Sequence, residues 1–495
     1  MLKTTFSTNN FLLNIENFLT PPSTELSPFM MADTQLKIAN GIDLTYKKGV
    51  VAKDLGYSKV GSTLQSGKAI TGLHNFRQSS TVQKILATVN NSSGTNLQLM
   101  YNNAGTWTNI SVGSTYDTFE DALVEMEDFI GYCFIVGYDP TDNVFLPVSS
   151  LTGTTFSTST NVGSMPQGKY IKRYRDRLYV ANCYTGATAY PYRVYFSSVP
   201  AAGAITWTPA SDFIDVDFAE QITGIGVNWD KMVIFTEFSA YIYNQDTKTN
   251  PWDIGCINHR TIQNLDAYMI WADKNNVYAS TGGRPTPIAS DIKELLINAD
   301  PTVWRSAVVN NKYYLYLGST DANGLHYTNC MAIFDAELGL WQWREYYDNF
   351  TALARFTANS EDYLYMGASD GDVHVKSKWT DTTKIYADDG HAIRAHFRTK
   401  AFSFNDKDMP VRKYVEKIIA YCEFGSGLMV RFRIWDRNQE IMMPFTDIGQ
   451  LGKVVNEFDK KITGNFIQFE FKEYSKNQAF KFYAFSALLG EDQNL

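Results

Sequence analysis

Only six histidines are spread over 495 residues, which limits the acid–base and metal chemistry this chain can assemble. His391 and His396 stand five apart in a strand-like run, so alternation puts them on opposite faces and they do not read as co-ligands. There is no H-E-x-x-H pair, G-x-S-x-G elbow, G-x-x-x-x-G-K-[ST] cradle or G-x-G-x-x-G after a strand. A Ser-His-Asp triad needs three groups brought together, and nothing in the order of residues assigns one. Ser369-Asp370-Gly371-Asp372-Val373 contains a calcium-like fragment, but it lacks the remaining acids and the closing Glu of such a loop and reads as a turn. Asp139-Pro140-Thr141-Asp142-Asn143 is a similar case.

Carboxylates are the next candidates. Glu120, Asp121, Glu125, Glu127 and Asp128 alternate with Phe119, Leu123, Met126 and Ile130 at helical spacing. With Thr118 as cap, the segment 119–130 is expected to be a helix with a solvated acidic face. Glycosidase carboxylates can come from distant strands, but nothing positive points to a pair. The nearest approach to the sialidase S-x-D-x-G-x-x-W turn, Asn103-Ala104-Gly105-Thr106-Trp107, has the wrong spacing and no Asp. Five cysteines without a C-x-x-C pair read as small buried hydrophobes in a reducing cell. The expectation is no catalytic residue, no cofactor-binding residue and no metal ligand, hence no enzyme.

One basic run remains. Lys169, Lys172, Arg173, Arg175 and Arg177 are interleaved with Tyr170 and Tyr174, a pattern that could touch a phosphate backbone or a neighbouring subunit. The plainer reading is the polar side of a strand and its turn. The formal net charge of −8 argues against a protein that grips nucleic acid over its whole surface. A surface that DNA slides past is compatible with it.

The elements that would position these residues are strands. A polar turn followed by an apolar strand recurs, with Val144, Leu178, Met232, Val277, Tyr313 and Tyr363 as first apolar residues. The intervals of roughly 35 to 55 residues match one propeller blade. We therefore expect an all-β fold: a propeller of five to seven blades over residues 73–385, interrupted by a short helix near Ser290–Leu296 capped by Ser290 or Asp291. Residues 386–495, with longer alternating runs, read as a C-terminal β-sandwich-like module. Residues 1–72, broken by Pro and polar residues, read as an extended N-terminal arm. Its apolar positions Phe11, Leu12, Pro28, Phe29 and Met30 are the candidate subunit interface. No apolar run is long enough for a membrane helix, and no long apolar signal core follows Met1, so folding in a cytoplasm is expected.

The stretch Ile222-Thr-Gly-Ile-Gly226, followed by Met232-Val-Ile-Phe235 and Tyr241-Ile-Tyr243, resembles the tail hub, or nozzle, proteins of short-tailed bacteriophages, also called packaged-DNA stabilisation proteins. Ile270-Trp-Ala272, Val277-Tyr278, Pro287-Ile-Ala-Ser290 and then Asp335 ahead of Trp341-Gln-Trp343 keep the same order over about residues 165–375. The arm and the C-terminal module resemble the family only in general character. The resemblance implies a structural virion protein that forms a ring, commonly sixfold, below the portal and adaptor. Its channel would hold packaged double-stranded DNA, without sequence specificity, and later release it into the host. Partners implied are copies of itself, portal-adaptor proteins and other tail proteins. The implied location is the virion tail, assembled in the host cytoplasm. A receptor- or glycan-binding propeller of the phage tail is the alternative.

Overall fold

The computed structural model describes residues 6–491 apart from positions 8, 9, 17, 19, 21, 80, 81, 92, 94, 95, 104, 113, 114, 118, 120, 121, 218, 219, 245, 246, 359, 404, 407, 408, 411, 424–426, 437, 438, 448–451 and 458–462. Of the positions named above, Ala104, Thr118, Glu120 and Asp121 lie outside the described residues.

Seven antiparallel sheets, each four strands deep from the axis outward, follow one another along the chain. Their innermost strands are Ile70–Arg77, Leu123–Phe129, Gln167–Tyr174, Ile222–Asn228, Gln263–Leu265, Arg305–Val309 and Phe350–Ala358. Successive inner strands are neighbours, and the seventh meets the first, so the ring is closed. The fold is a seven-bladed propeller. Apolar layers between blades hold it: Phe134 and Val136 share one layer with Leu178 and Val180, and Ile225 and Met232 share another with Tyr174 and Tyr179.

The repeat seen in the sequence is mostly the turn from the first to the second strand of a blade. Arg175, Trp229, Asn310, Asn311 and Ser360 all adopt left-handed backbone there, with φ of 51°, 55°, 50°, 58° and 64°. Such turns match the right-handed twist of the flanking strands. Two copies belong elsewhere. Asp273-Lys274-Asn275-Asn276 joins the second and third strands of the fifth blade, and Thr141-Asp142-Asn143 leads into a minor strand, Val144–Phe145, of the second. This mixture is why the repeat alone leaves the blade number open.

The seventh blade is closed by the N-terminal segment. Its own chain supplies Phe350–Ala358, Glu361–Ala368 and Val373–Lys376, and the outer strand is Tyr57–Lys59, with His374 paired to Lys59 and Lys376 to Tyr57. Joining strands from opposite ends of the chain makes opening the ring a cooperative event.

The N-terminal segment is therefore not a free extended arm. Asn10–Glu16 pairs along Lys481–Glu491, from Asn10 opposite Gly490 to Glu16 opposite Ala484. Leu36–Asn40 bridges the outer strand of the sixth blade, Leu340–Glu345, to Ala395–Ser403. The C-terminal region is a two-sheet sandwich, and one of its sheets is continuous with the sixth blade. Leu13 and Ile15 from the N-terminal end share its core with Phe397, Phe469, Phe471, Phe482 and Phe485. Each such side chain contributes about 1.5–3 kcal/mol on burial. The apolar residues near the N-terminus thus pay for folding within the chain.

Two helix expectations change. Leu123–Phe129 is the inner strand of the second blade, paired to Tyr132–Asp139 from Leu123 opposite Tyr138 to Phe129 opposite Tyr132. Val124 and Met126 are buried at a period of two, and that alternation wins over the coincident helical spacing. Near 290, a 3-10 turn, Ser290–Ile292, runs into the helix Lys293–Asn298. Neither Ser290 nor Asp291 caps it: Ile292 holds the cap position, and burial of Leu295 and Leu296 fixes the helix instead.

Buried ion pairs tie the modules together. Arg344 of the sixth blade reaches Asp54 at 2.9 Å and also pairs with Asp388, while Lys376 of the seventh blade reaches Asp54 at 2.9 Å. Burial raises the Asp54 pKa, but Lys376 and Arg344 outweigh it and hold it down at about 2. Asp388, with Arg344 as its close cationic partner, is raised because burial dominates. In the sandwich, Glu470 is fully buried against His396 at 2.6 Å and Arg431 at 2.8 Å.

Candidate functional site: the blade axis and an uncovered apolar loop

All seven inner strands, with Gly72, Glu125, Lys172, Ile225, Gln263, Ser306 and Ala352 among them, line one axial cavity of about 300 Å³. Arg260, in the turn between the fourth and fifth blades, spans it. Its Nε donates to Glu125 Oε1 at 2.7 Å, and its Nη2 donates to the carbonyls of Thr71 and Val124 at 3.0 and 3.1 Å. Arg305 donates to the carbonyls of Trp304 at 2.7 Å and Thr351 at 2.9 Å. Burial and the Arg260 charge pull Arg305 down to about 9. Burial pulls His259 from 6.5 down to about 4 against the opposing pull of Glu125, so its imidazole is neutral at pH 7. The charges are spent on bridging blades. A duplex whose major groove alone is ~12 Å wide has no path through this axis.

The Ile-x-Gly-Ile-Gly segment has a physical reason here. A Cβ on Gly224 would lie 2.7 Å from Ile262 Cδ1, and one on Gly226 would lie 2.7 Å from Met269 Sδ. The fourth blade packs this closely on the fifth because it carries no side chains at those points. The Asp-turn-Trp segment has one as well. Asp335 Oδ1 accepts from the Glu337 and Leu338 amides at 3.0 Å each, and the Trp341 indole donates to the Ile288 carbonyl at 2.6 Å. That bond ties the sixth blade to the fifth.

The basic run does not form one patch. Lys172 points to the axis and pairs with Glu127 at 3.2 Å, and Lys169 sits over the Tyr138 ring at 3.5 Å. Arg173, Arg175 and Arg177 stay together at the turn that ends the strand. Arg175 donates to Asp230 O at 3.2 Å and Asn244 Oδ1 at 3.1 Å on the next blade. Arg177 donates to Ser197 O at 3.0 Å and lies over the Phe196 ring. Arg173 is exposed, with Nε donating to Arg175 O at 3.3 Å. Beside them stand exposed aromatics that the sequence did not single out: Trp229, 75% exposed, and Tyr268, 49% exposed. The Trp229 indole donates to Ala267 O at 3.2 Å.

The candidate interface residues fall into two groups. Phe11 and Leu12 sit opposite Leu489 and Leu488 in a sandwich strand, a structural position. Pro28, Phe29 and Met30 form a surface loop. Pro28 O accepts from Ala401 N at 2.9 Å, which anchors the loop on the sandwich. Phe29, 44% exposed, packs edge-on against Trp435 and Phe466 at 5.4 and 4.8 Å between ring centres, and Met30 is 77% exposed. Trp435 and Phe466 face each other across two strands. Nothing in the order of residues ties these distant positions to the apolar loop, because only strand register brings them together.

A further grouping joins Asp370, Asp372 and His374. Asp370 and Asp372 lie in the turn that leads into the strand Val373–Lys376, which carries His374.

No known protein family matches the sequence, and no curated protein does. Among solved structures, the chain is similar to the WD40 domain of Neurospora crassa Pan2, with 7% identity and a TM-score of 0.41, covering 68% of this chain and 97% of that one.

Proposed function

We propose that this chain is a structural virion protein, a tail hub or nozzle subunit of a short-tailed bacteriophage. Copies of it, six by the family resemblance, would form a ring whose channel retains packaged DNA and lets it out into the host. The observation that carries the reading is the uncovered loop Phe29–Met30 on Trp435 and Phe466, an apolar surface on a sandwich whose sheet is continuous with the sixth blade. Exposed apolar patches of this kind mark contact sites. The closed axis adds a requirement: DNA would pass between copies, beside the propellers. The net charge of −8 suits such a wall, because few Lys or Arg contacts to phosphate reduce drag. Electron microscopy of the purified full chain tests this. Rings that are lost in Met30→Asp are expected, and a monomer at all concentrations refutes the reading.

The alternative, a receptor- or glycan-binding propeller, is favoured by Trp229 and Tyr268, whose exposed rings could stack on sugars. It predicts glycan binding by a monomer that Trp229→Ala abolishes.

A further inference from the structure

The turn and strand that receive the N-terminal closing strand carry an unusual group of side chains. One ligand atom each from Asp370, Asp372 and His374 lies within 4.8 Å of the others. His374 is 1% exposed, and neither of its ring nitrogens has a hydrogen-bond partner. A buried imidazole with both nitrogens unmatched is costly unless something supplies a partner. Its Nε2 is 3.5 Å from Asp348 Oδ2, which already accepts from the Tyr57 hydroxyl at 2.6 Å. The nearby cation is Lys59, whose Nζ lies 2.9 Å from Asp372 Oδ1. The Asp370 and Asp372 carboxylates thus gather at a buried imidazole that also faces Asp348, and Lys59 pairs with Asp372.

We propose that Asp370, Asp372 and His374 bind a divalent transition ion of the zinc class at the seam where the propeller closes. An imidazole nitrogen with two carboxylates suits zinc or manganese, whereas calcium and magnesium take oxygen ligands. Three protein ligands leave a coordination position for water. The backbone is already braced for the role. Gly67 N donates to Asp370 O at 2.8 Å, Leu64 N to Gly371 O at 2.9 Å and Val60 N to Val373 O at 2.7 Å, so the segment after the closing strand wraps the turn. Asp370 is exposed, and its Oδ1 accepts from Asp372 N at 3.1 Å, a bond that fixes the turn carrying both carboxylates. An ion here would relieve the repulsion between carboxylates and strengthen the strand to which Tyr57–Lys59 is zipped.

The test uses the full chain, stripped with chelator and titrated calorimetrically with zinc chloride and, separately, calcium chloride. The expected result is one saturable zinc site per chain, with calcium at least ten times weaker. Zinc at a hundred times its Kd then lowers the unfolding constant by about 100-fold. Asp370→Asn keeps an exposed side chain of the same shape, so the fold survives, and zinc affinity drops at least tenfold. His374→Gln, checked for folding by circular dichroism, drops it further. Absence of saturable zinc binding, calcium binding as tight as zinc, or unchanged zinc affinity in Asp370→Asn overturns the assignment.

Discussion

Arg260→Met is the most direct test of how the axis is held. The substitution keeps an unbranched apolar stem but removes the guanidinium and with it three hydrogen bonds, one to Glu125 and two to the carbonyls of Thr71 and Val124. Breaking a fully buried pair by deleting one partner costs about 3–5 kcal/mol. Arg260 and Glu125 are 12% and 22% exposed, so water recovers part of that, and about 2–3 kcal/mol is expected at pH 7.5. The sign of the pH dependence is fixed. In the native protein burial raises Glu125, but Arg260 and then His259 outweigh it, and its pKa lies below 4.5. That depressed value contributes stability above the unfolded pKa, and the contribution disappears as pH falls through the folded one. Without Arg260, burial acts alone on the carboxyl. The gap between native protein and variant therefore narrows as pH falls toward 4. Urea unfolding of the native protein, Arg260→Met, Glu125→Gln and the double variant at two pH values gives the coupling energy directly. A loss under ~0.5 kcal/mol, or single effects that simply add, would refute the cross-axis strut.

Three further outcomes follow from the same structure. His259 is depressed from 6.5 to about 4, so its contribution is complete above pH 6.5 and lost toward pH 4, a span of about 3 kcal/mol. In His259→Gln the urea midpoint should change less with pH across that window, and an unchanged profile would contradict it. Gly56→Ala places a Cβ 1.8 Å from the Ala387 carbonyl oxygen, a backbone clash that should cost about 3 kcal/mol or more and be visible as a lowered melting temperature. Phe29→Asp combined with Met30→Asp should leave the melting temperature within a few degrees and shift sedimentation from ring to monomer. Burying the two side chains between copies is worth about 3–6 kcal/mol, so an unchanged ring would remove this loop from the interface.

The propeller was legible because its turns demand particular residues. Asn310-Asn311 and Arg175-Asp176 announce hairpins, and the apolar runs after them announce buried second strands. The fifth blade was marked out of step with the others: Val277 begins its third strand, because its inner strand, Gln263–Leu265, is only three residues long and its visible turn lies one strand further out. The strand Leu123–Phe129 misled because Leu123, Met126 and Ile130 satisfy a helical period by coincidence, and only pairing with Tyr132–Asp139 decides between the two. The N-terminal segment could not be placed at all from its own residues. Leu13 and Ile15 look the same whether they bury against a neighbour or against Phe482 and Phe485 some 470 positions later in the same chain. For the candidate interface, Phe29 and Met30 were legible as apolar residues in a Pro-broken loop, whereas Trp435 and Phe466 join them through sandwich register alone.

That placement of the N-terminal segment also bears on how a ring could open. A deletion of residues 1–35 removes Asn10–Glu16 and bares the edge of Lys481–Glu491 together with the sandwich core, so loss of assembly in that variant would report misfolding as readily as a missing contact. Point changes on the loop are the cleaner probe. Closure of the seventh blade by Tyr57–Lys59, continuity of the sixth blade with the sandwich and the Arg344–Asp54–Lys376 cluster all oppose internal motion. Opening the axis would break the Arg260 bridge and the inter-blade layers at once. Under the nozzle reading, a gate for DNA is then cheapest as a movement of whole subunits about their shared contacts, where only exposed loops such as Phe29–Met30 must exchange partners.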